Sequence, residues 1–359
     1  MYRQGSSEGP KETFVKVRAW SEESLKELFQ AYYSLHPQLV LPKDIIKREF
    51  AFQPFGLESY VRHLSFKDEA SLRAYLRARP PRHAYHSIGI YELPEAPSME
   101  EKGWLGSELL FDLDLDHPGL CASQVIDDTC LVKGFRMAQR VAKVTERLLG
   151  GRALIYFTGH RGFHVRGKCE DCLTLGRDER REIAKLVRAE GLELSYLFPL
   201  DSKIPPAAPS AEDPGWRGLL AEEVGGGPRL RVRDLNDAVA RLAVDIDAMV
   251  TEDPSRLTRI PGSLNAKGPL IVTPLCDSFS PTPALSPFRG ELGARALQPI
   301  DEVKVLGYSV GARGGEELDL PAPVALYLWS AGLIELGGGE LVVVRNTGWW
   351  PVQGCNWEP

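Results

Sequence analysis

The strongest alternation in the chain runs from residue 107 to 117, SELLFDLDLDH, where Leu109, Phe111, Leu113 and Leu115 share one parity and Leu110, Asp112, Asp114 and Asp116 the other. A period of two sends side chains to opposite faces, so the segment predicts a strand with an apolar face and an acidic face. RALIYF at 152–157 predicts a second strand, and TGHRGFHVRGKCEDC a polar, glycine-bearing turn entering a third strand through Val165. Residues 48–66 mix aromatic and β-branched side chains around Pro54 and Gly56, the signature of a hairpin or two short strands. Further strands are expected near 302–310 and at 340–344.

Helical spacing appears in Leu25, Leu28, Phe29 and Tyr32 behind Ser21 or Ser24, the latter at capping-box distance from Glu27. It returns at 68–78, closed by Pro80 and Pro81, and at 134–149, where Phe135, Ala138, Val141 and Leu148 precede Gly150 and Gly151. Charged residues at about 178–190 predict a helix stopped by Gly191. RDLNDAVARLAVDIDAMV predicts another, with Leu235, Val239 and Leu242 as its packed stripe, and a hydrophobic one is expected near 321–334. Residues 203–228 cluster proline, alanine and glycine without periodicity, which predicts a surface linker or the edge of an inserted subdomain. Residues 251–272 read as a polar loop feeding a strand. Strands and helices interspersed in this way give an α/β or α+β fold with mixed sheets flanked by helices.

Composition narrows the function classes. A chain of 359 residues, 43% apolar, has material for more than one core, and two domains are expected. With 43 Lys and Arg against 49 Asp and Glu, its net charge of −6 repels phosphate overall, so nucleic-acid contact must rely on local basic patches or metal ions. Six cysteines are too sparse for a disulfide scaffold, and the opening MYRQGSSEGPKET has no apolar signal core, which predicts an intracellular protein. No stretch reaches the roughly 20 apolar residues that cross a bilayer, so no membrane insertion is expected.

The acidic strand carries the most informative chemistry. Asp112 and Asp114 stand on one side, about 7 Å apart at the backbone, and repel each other unless a hard cation such as Mg²⁺ or Mn²⁺ neutralises them. A solvated acidic edge is the plain alternative, opposed by the apolar face that pins the strand to a core. A third carboxylate for two ions is offered by Asp116 nearby or by Asp245, Asp247 or Asp253 downstream, and spacing alone does not choose. Arg256, Arg259 and Lys267 follow Asp247 closely, which favours the distant set. In TGHRGFH, Thr158, Arg161 and His164 supply donors for phosphate oxygens on a turn whose glycines allow close backbone approach. The plain alternative leaves His160 and His164 as loop caps.

At these residues the chain resembles the small catalytic subunit of the archaeal and eukaryotic DNA primases, in its archaeal form. REFAFQPF (48–55), YVRHLSF (60–66), MEEKGWLGSELLFDLDLDH (99–117), TGHRGFHV (158–165) and DAMVTEDPSRLTRIPGSLNAKG (247–268) look like that family's blocks, in order. The resemblance implies a primase catalytic core in two parts, residues 1–190 and 244–359, with a small mostly helical subdomain inserted at 191–243. It implies metal ligation by Asp112, Asp114 and Asp247, with Asp245 as the other reading of the register. Nucleotide contacts are implied for Arg161, His164, Arg259 and Thr158, the last at the place of the family's usual serine. Glu49, Tyr60 and Arg62 match residues lining the nucleotide pocket.

Two departures stand out. The family's late histidine is replaced by Asn265, which keeps a donor and loses the option of positive charge, with Lys267 near enough to compensate. Of the family's zinc knob only Cys121 and Cys130 remain, because Lys133 stands where the next thiolate belongs. His117, Asp127 or Asp128 would have to complete a zinc site, and free thiols are the other expectation. Cys169 and Cys172 have C-x-x-C spacing on the wrong side of the turn for that knob.

The function so implied is DNA-templated synthesis of short RNA primers, with DNA primers left open. The implied route is two-metal nucleotidyl transfer from nucleoside triphosphates to a 3′-hydroxyl. Implied partners are a larger primase subunit, a single-stranded DNA template and nucleoside triphosphates, in the cytoplasm of an archaeal-type cell near its nucleoid. A two-metal nuclease and a noncatalytic primase-like scaffold are the competing classes.

Overall fold

The architecture was read from a computed structural model that describes residues 11–116, 121, 125, 127–198, 210–225 and 232–346. Its centre is a four-stranded antiparallel sheet in the order Thr273–Leu275, Arg152–Phe157, Gly162–Lys168 and Leu109–Asp114. A helix, Asp128–Leu149, covers one face. Its buried stripe of Leu131, Phe135, Ala138 and Val141 shares a core with Phe111, Leu113, Phe157, Phe163 and Val165 from the strands. Asp127 caps this helix by accepting from the Cys130 amide, and Gly150 ends it in the left-handed conformation. The helix begins six residues before the expected 134, because Asp128 is also held, its carboxylate receiving the Leu306 and Gly307 amides.

A second antiparallel sheet, ordered Leu257–Arg259, Pro81–Ser87, Phe50–Pro54 and Val61–Leu64, stands beside the first. The expected pair of strands within 48–66 is its outer half. Its Pro81–Ser87 strand was not legible, since Pro80 and Pro81 read as the end of a helix and the strand is buried on both faces, which erases alternation. The polar loop expected at 251–272 is instead mostly buried and holds three short strands, Leu257–Arg259, Leu264–Asn265 and Leu270–Ile271. Other expected elements fall close to their predicted places, including the helix Glu22–Ser34 behind its Ser21 cap, Glu69–Ala78 and Arg177–Val187. The strand expected near 302–310 is a hairpin of Ile300–Val305 and Tyr308–Ala312.

Between residues 194 and 242 the described elements are helices: Leu194–Leu197, Gly215–Val224 and Val232–Leu242. Gly215–Val224 lies inside the stretch expected as a linker. Trp216, Leu219 and Leu220 bury themselves, and Trp216 Nε1 donates to the Leu186 carbonyl, so a few large apolar side chains outweigh a glycine-rich composition. The long helix expected across RDLNDAVARLAVDIDAMV breaks after Leu242. Val244 and Ile246 are buried in an extended segment, and a short helix, Ala248–Glu252, follows.

The cysteine expectations require correction. Cys169 is joined to Cys172, and Cys121 meets Cys130 sulfur to sulfur, so separate free thiols do not describe these residues. Asp127 and Asp128, the other zinc candidates, are occupied in holding helix and hairpin amides. His117 lies outside the described residues.

Candidate active site

The site is built on three adjacent strands. Tyr156, His164 and Asp112 form one row across them, on the face away from the long helix. His164 Nε2 lies 3.6 Å from Asp112 Oδ1, while its Nδ1 is 3.2 Å from the Tyr156 hydroxyl and 3.1 Å from Thr258 Oγ1 of the neighbouring sheet. Burial, then the charges of Arg259 and Arg166, push the His164 pKa down to about 3, so the ring is neutral. In the next row Asp114 faces Gly162, whose missing side chain leaves the carboxylate half-exposed.

Asp247 reaches this face from far along the chain. Its amide donates to the Asp112 carbonyl (3.3 Å), its carboxylate caps the Ala248–Glu252 helix at the Met249 amide, and Thr251 Oγ1 donates to the Leu110 carbonyl (3.0 Å). Asp245 points elsewhere, exposed and paired with Arg188 at 3.0 Å. Asp253 is held by Ser255 and Arg256. Burial raises the Asp112 pKa to about 7, helped by the charges of Asp114 and Asp247 and opposed by Arg259 and Arg256. Such an excess of carboxylate oxygen fits a hard divalent cation. Among the described residues, however, no three acidic, histidine or cysteine side chains already converge as a formed metal cluster.

The turn 158–162 supplies the opposing wall. Thr158 donates both its amide and its hydroxyl to the Gly162 carbonyl, so the hydroxyl closes the turn. Gly159 has φ +81°, and a Cβ there would meet Asn265 Cβ and the Leu270 carbonyl at 2.9 Å, which leaves room for glycine alone. Asn265 is buried; its amide donates to the Thr158 carbonyl at 2.8 Å and accepts from the Lys267 amide. It therefore braces the turn from behind. Arg161 pairs with Asp116, its Nε 3.9 Å from Asp114 Oδ1, and Lys267 is exposed beside it.

Asp112, Asp114, Thr158, Arg161, His164, Arg259, Asn265 and Lys267 line one cleft of about 110 Å³, joined by His160. Through His160, Arg161 and Lys267 it borders a wider groove of about 830 Å³. Glu49, Tyr60 and Arg62 lie outside the cleft lining. Glu49 is fully enclosed and holds Arg62 (Nε to Oε1 2.9 Å), the His63 amide and Lys102, which keeps its pKa below the usual range despite burial. Tyr60 packs edge-on against Tyr85, 5.6 Å between centroids.

Sequence reasoning missed His83 and Tyr85, which flank Arg259, and the buried ion cluster beneath the acids. In that cluster Glu108 accepts from Arg48 (3.0 Å) and Arg166 (2.9 Å), and Arg180 donates to the carbonyls of Ser107 and Glu108. Charged residues on strands otherwise buried were the available signal.

Acids and cations facing one another across one cleft are what phosphoryl-transfer chemistry asks of a site. The family model for the DNA primase small subunit matches residues 111–276. The DNA primase small subunit PriS of Aeropyrum pernix is 44% identical over 333 residues, 91% of this chain and 97% of that protein. PriS of Saccharolobus solfataricus is 34% identical (85% of this chain, 92% of that protein), and that of Sulfurisphaera tokodaii 37% (74% and 82%). The chain belongs to the archaeal-type DNA primase small-subunit family, and is a primase-type nucleotidyltransferase. The polymerase domain from Mycobacterium tuberculosis Ligase D, solved in complex with DNA, gives a TM-score of 0.39 at 12% identity over 71% of this chain and 81% of that one, too slight a likeness to argue from. Among the described residues no helix is long and apolar enough to cross a membrane.

Proposed function

We propose that the chain makes short RNA primers on single-stranded DNA by adding nucleotides from triphosphates to a 3′-hydroxyl. The observation that carries this reading is the juxtaposition of Asp112, backed by Asp114 and Asp247, with His164, Arg161 and Arg259 in one cleft. Asp112, Asp114 and Asp247 would hold Mg²⁺ or Mn²⁺, which when bound supplies positive charge to the attacking hydroxyl and the triphosphate.

The chain's own residues do the placing. Arg161, Arg259 and Lys267 receive the triphosphate, offsetting charge as the new bond forms between the 3′-oxygen and the α-phosphorus and the bond to pyrophosphate breaks. With the Tyr156 or Thr258 hydroxyl donating to His164 Nδ1, the ring proton would sit on Nε2, beside Asp112, as a neutral donor for a phosphate oxygen in the cleft. The Thr158 turn and its Asn265 brace fix Arg161. Glu49 orients Arg62, and Tyr60 lines the approach beside Tyr85. Base choice is left to the template, which asks the protein only for backbone and stacking contacts. The partner for initiation is a larger primase subunit.

Primer synthesis on single-stranded DNA with nucleotides and Mg²⁺ or Mn²⁺ tests the reading. Asp112→Ala is expected to fold and to lose synthesis by on the order of 10²–10³-fold or more. Unchanged synthesis would refute the carboxylate assignment. Failure of the wild-type chain to bind ATP in the presence of Mn²⁺ would instead favour a nuclease.

A further inference from the structure

We propose that His83 and Tyr85 are positioning residues for Arg259, holding its guanidinium by neutral contacts so that its full charge stays available to the triphosphate. This rests on the reading of Arg259 given above. Arg259 and Tyr85 are direct partners across adjacent strands. The Arg259 guanidinium carbon lies 4.9 Å from the Tyr85 ring centroid, and its Nη1 is 3.2 Å from His83 Nδ1. No ion pair to Arg259 occurs among the described residues, whereas Arg161 in the same cleft pairs with Asp116.

The chemistry of the two holders matters. A carboxylate would fix Arg259 equally well and cancel the charge that a phosphate needs. A ring face attracts the cation through its quadrupole and leaves the formal charge intact. An imidazole does so only while neutral. His83 is buried, with Arg259, Arg82, Lys267 and His160 around it, and burial followed by these charges pushes its pKa down to about 2. Its Nδ1 is therefore a lone-pair acceptor for the guanidinium. Tyr85 is itself set by Tyr60, which packs on it edge-on at 5.6 Å. Tyr60 thus reaches the phosphates through Tyr85 and Arg259.

The test is equilibrium binding of ATP with Mn²⁺ to the full chain, alongside primer extension resolved into KM and kcat. His83→Ala and Tyr85→Leu are each expected to weaken ATP binding and raise KM by roughly three- to tenfold, with kcat little changed. His83→Gln, which keeps a neutral acceptor, and Tyr85→Phe, which keeps the ring, are expected to bind near the wild-type level. His83→Glu is expected to bind ATP worse than His83→Ala, because it holds the arginine and cancels its charge. Binding by His83→Glu equal to or better than wild type overturns the proposal, as does unchanged binding in both His83→Ala and Tyr85→Leu when Arg259→Ala weakens it. If Arg259→Ala itself leaves ATP binding intact, the underlying assignment of Arg259 falls instead. Thermal unfolding of each variant separates lost binding from lost fold, and the Gln and Phe variants keep the proposal testable if the truncations fail to fold.

Discussion

Two charge clusters share the same pair of strands and are handled in opposite ways. At one end, Glu108 sits buried between Arg48 and Arg166, while Arg180 donates to the Ser107 and Glu108 carbonyls. Although burial alone would raise the Glu108 pKa, the two guanidinium groups bring it down to about 2. A few residues further on, Asp112 stands with Asp114 and Asp247 as like charges, and its pKa rises to about 7. The first cluster is a closed structural unit, and the second is left electrostatically unfinished, which is how a ligand site differs from a foundation.

Breaking the foundation is expected to give the largest effect. Glu108→Gln strands two buried arginines and should cost about 3–5 kcal/mol in denaturant unfolding; a loss below 1 kcal/mol would show the cluster to be incidental. Because the folded pKa of Glu108 is depressed, its contribution is present above the ordinary glutamate range. It is lost as pH falls from about 4.5 towards 2, so the acid transition of Glu108→Gln should be shallower over that window.

A smaller effect is expected at the turn that faces the acids. Gly159→Ala forces a side chain onto a positive φ and against Asn265 and the Leu270 carbonyl, and should cost about 1–3 kcal/mol. It should also weaken ATP binding through Arg161, read by titration.

The unfinished cluster should respond with the opposite sign. Since the folded pKa of Asp112 lies above its ordinary value, ionising it costs the folded state increasingly as pH rises from about 4 to about 7. With chelator at pH 8, Asp112→Asn is expected to raise stability by about 1 kcal/mol, a figure reduced for partial solvent access. A loss of stability would mean that the carboxylate is structurally satisfied. The mildest change is expected from Lys267→Ala at the cleft rim, roughly a threefold rise in KM for ATP without loss of stability.

The acidic strand was legible because its apolar parity is buried against one helix, so alternation survives in the sequence. RALIYF was legible instead as a short continuous apolar run, and the turn by its glycines, which mark backbone that side chains would obstruct. Pro81–Ser87 was illegible for the converse reason: both faces are covered, and its prolines imitate punctuation. The residues on that strand that hold Arg259, His83 and Tyr85, went unseen with it. Composition misled at Gly215–Val224, where one tryptophan and two leucines decide the outcome, and at the cysteines, whose pairing depends on three-dimensional proximity that spacing does not record.

The delivery of Asp247 has a consequence for tolerance to change. The short helix that carries it is moored to the acidic strand by Thr251 Oγ1 on the Leu110 carbonyl, 141 positions away in sequence, and by the Asp247 amide on Asp112. Both moorings lie downstream of the helices between 194 and 242. The spacing of Asp247 from Asp112 is therefore set at the strand itself rather than by the length of chain that leads up to it, like a rope whose slack is taken up ahead of its last knot.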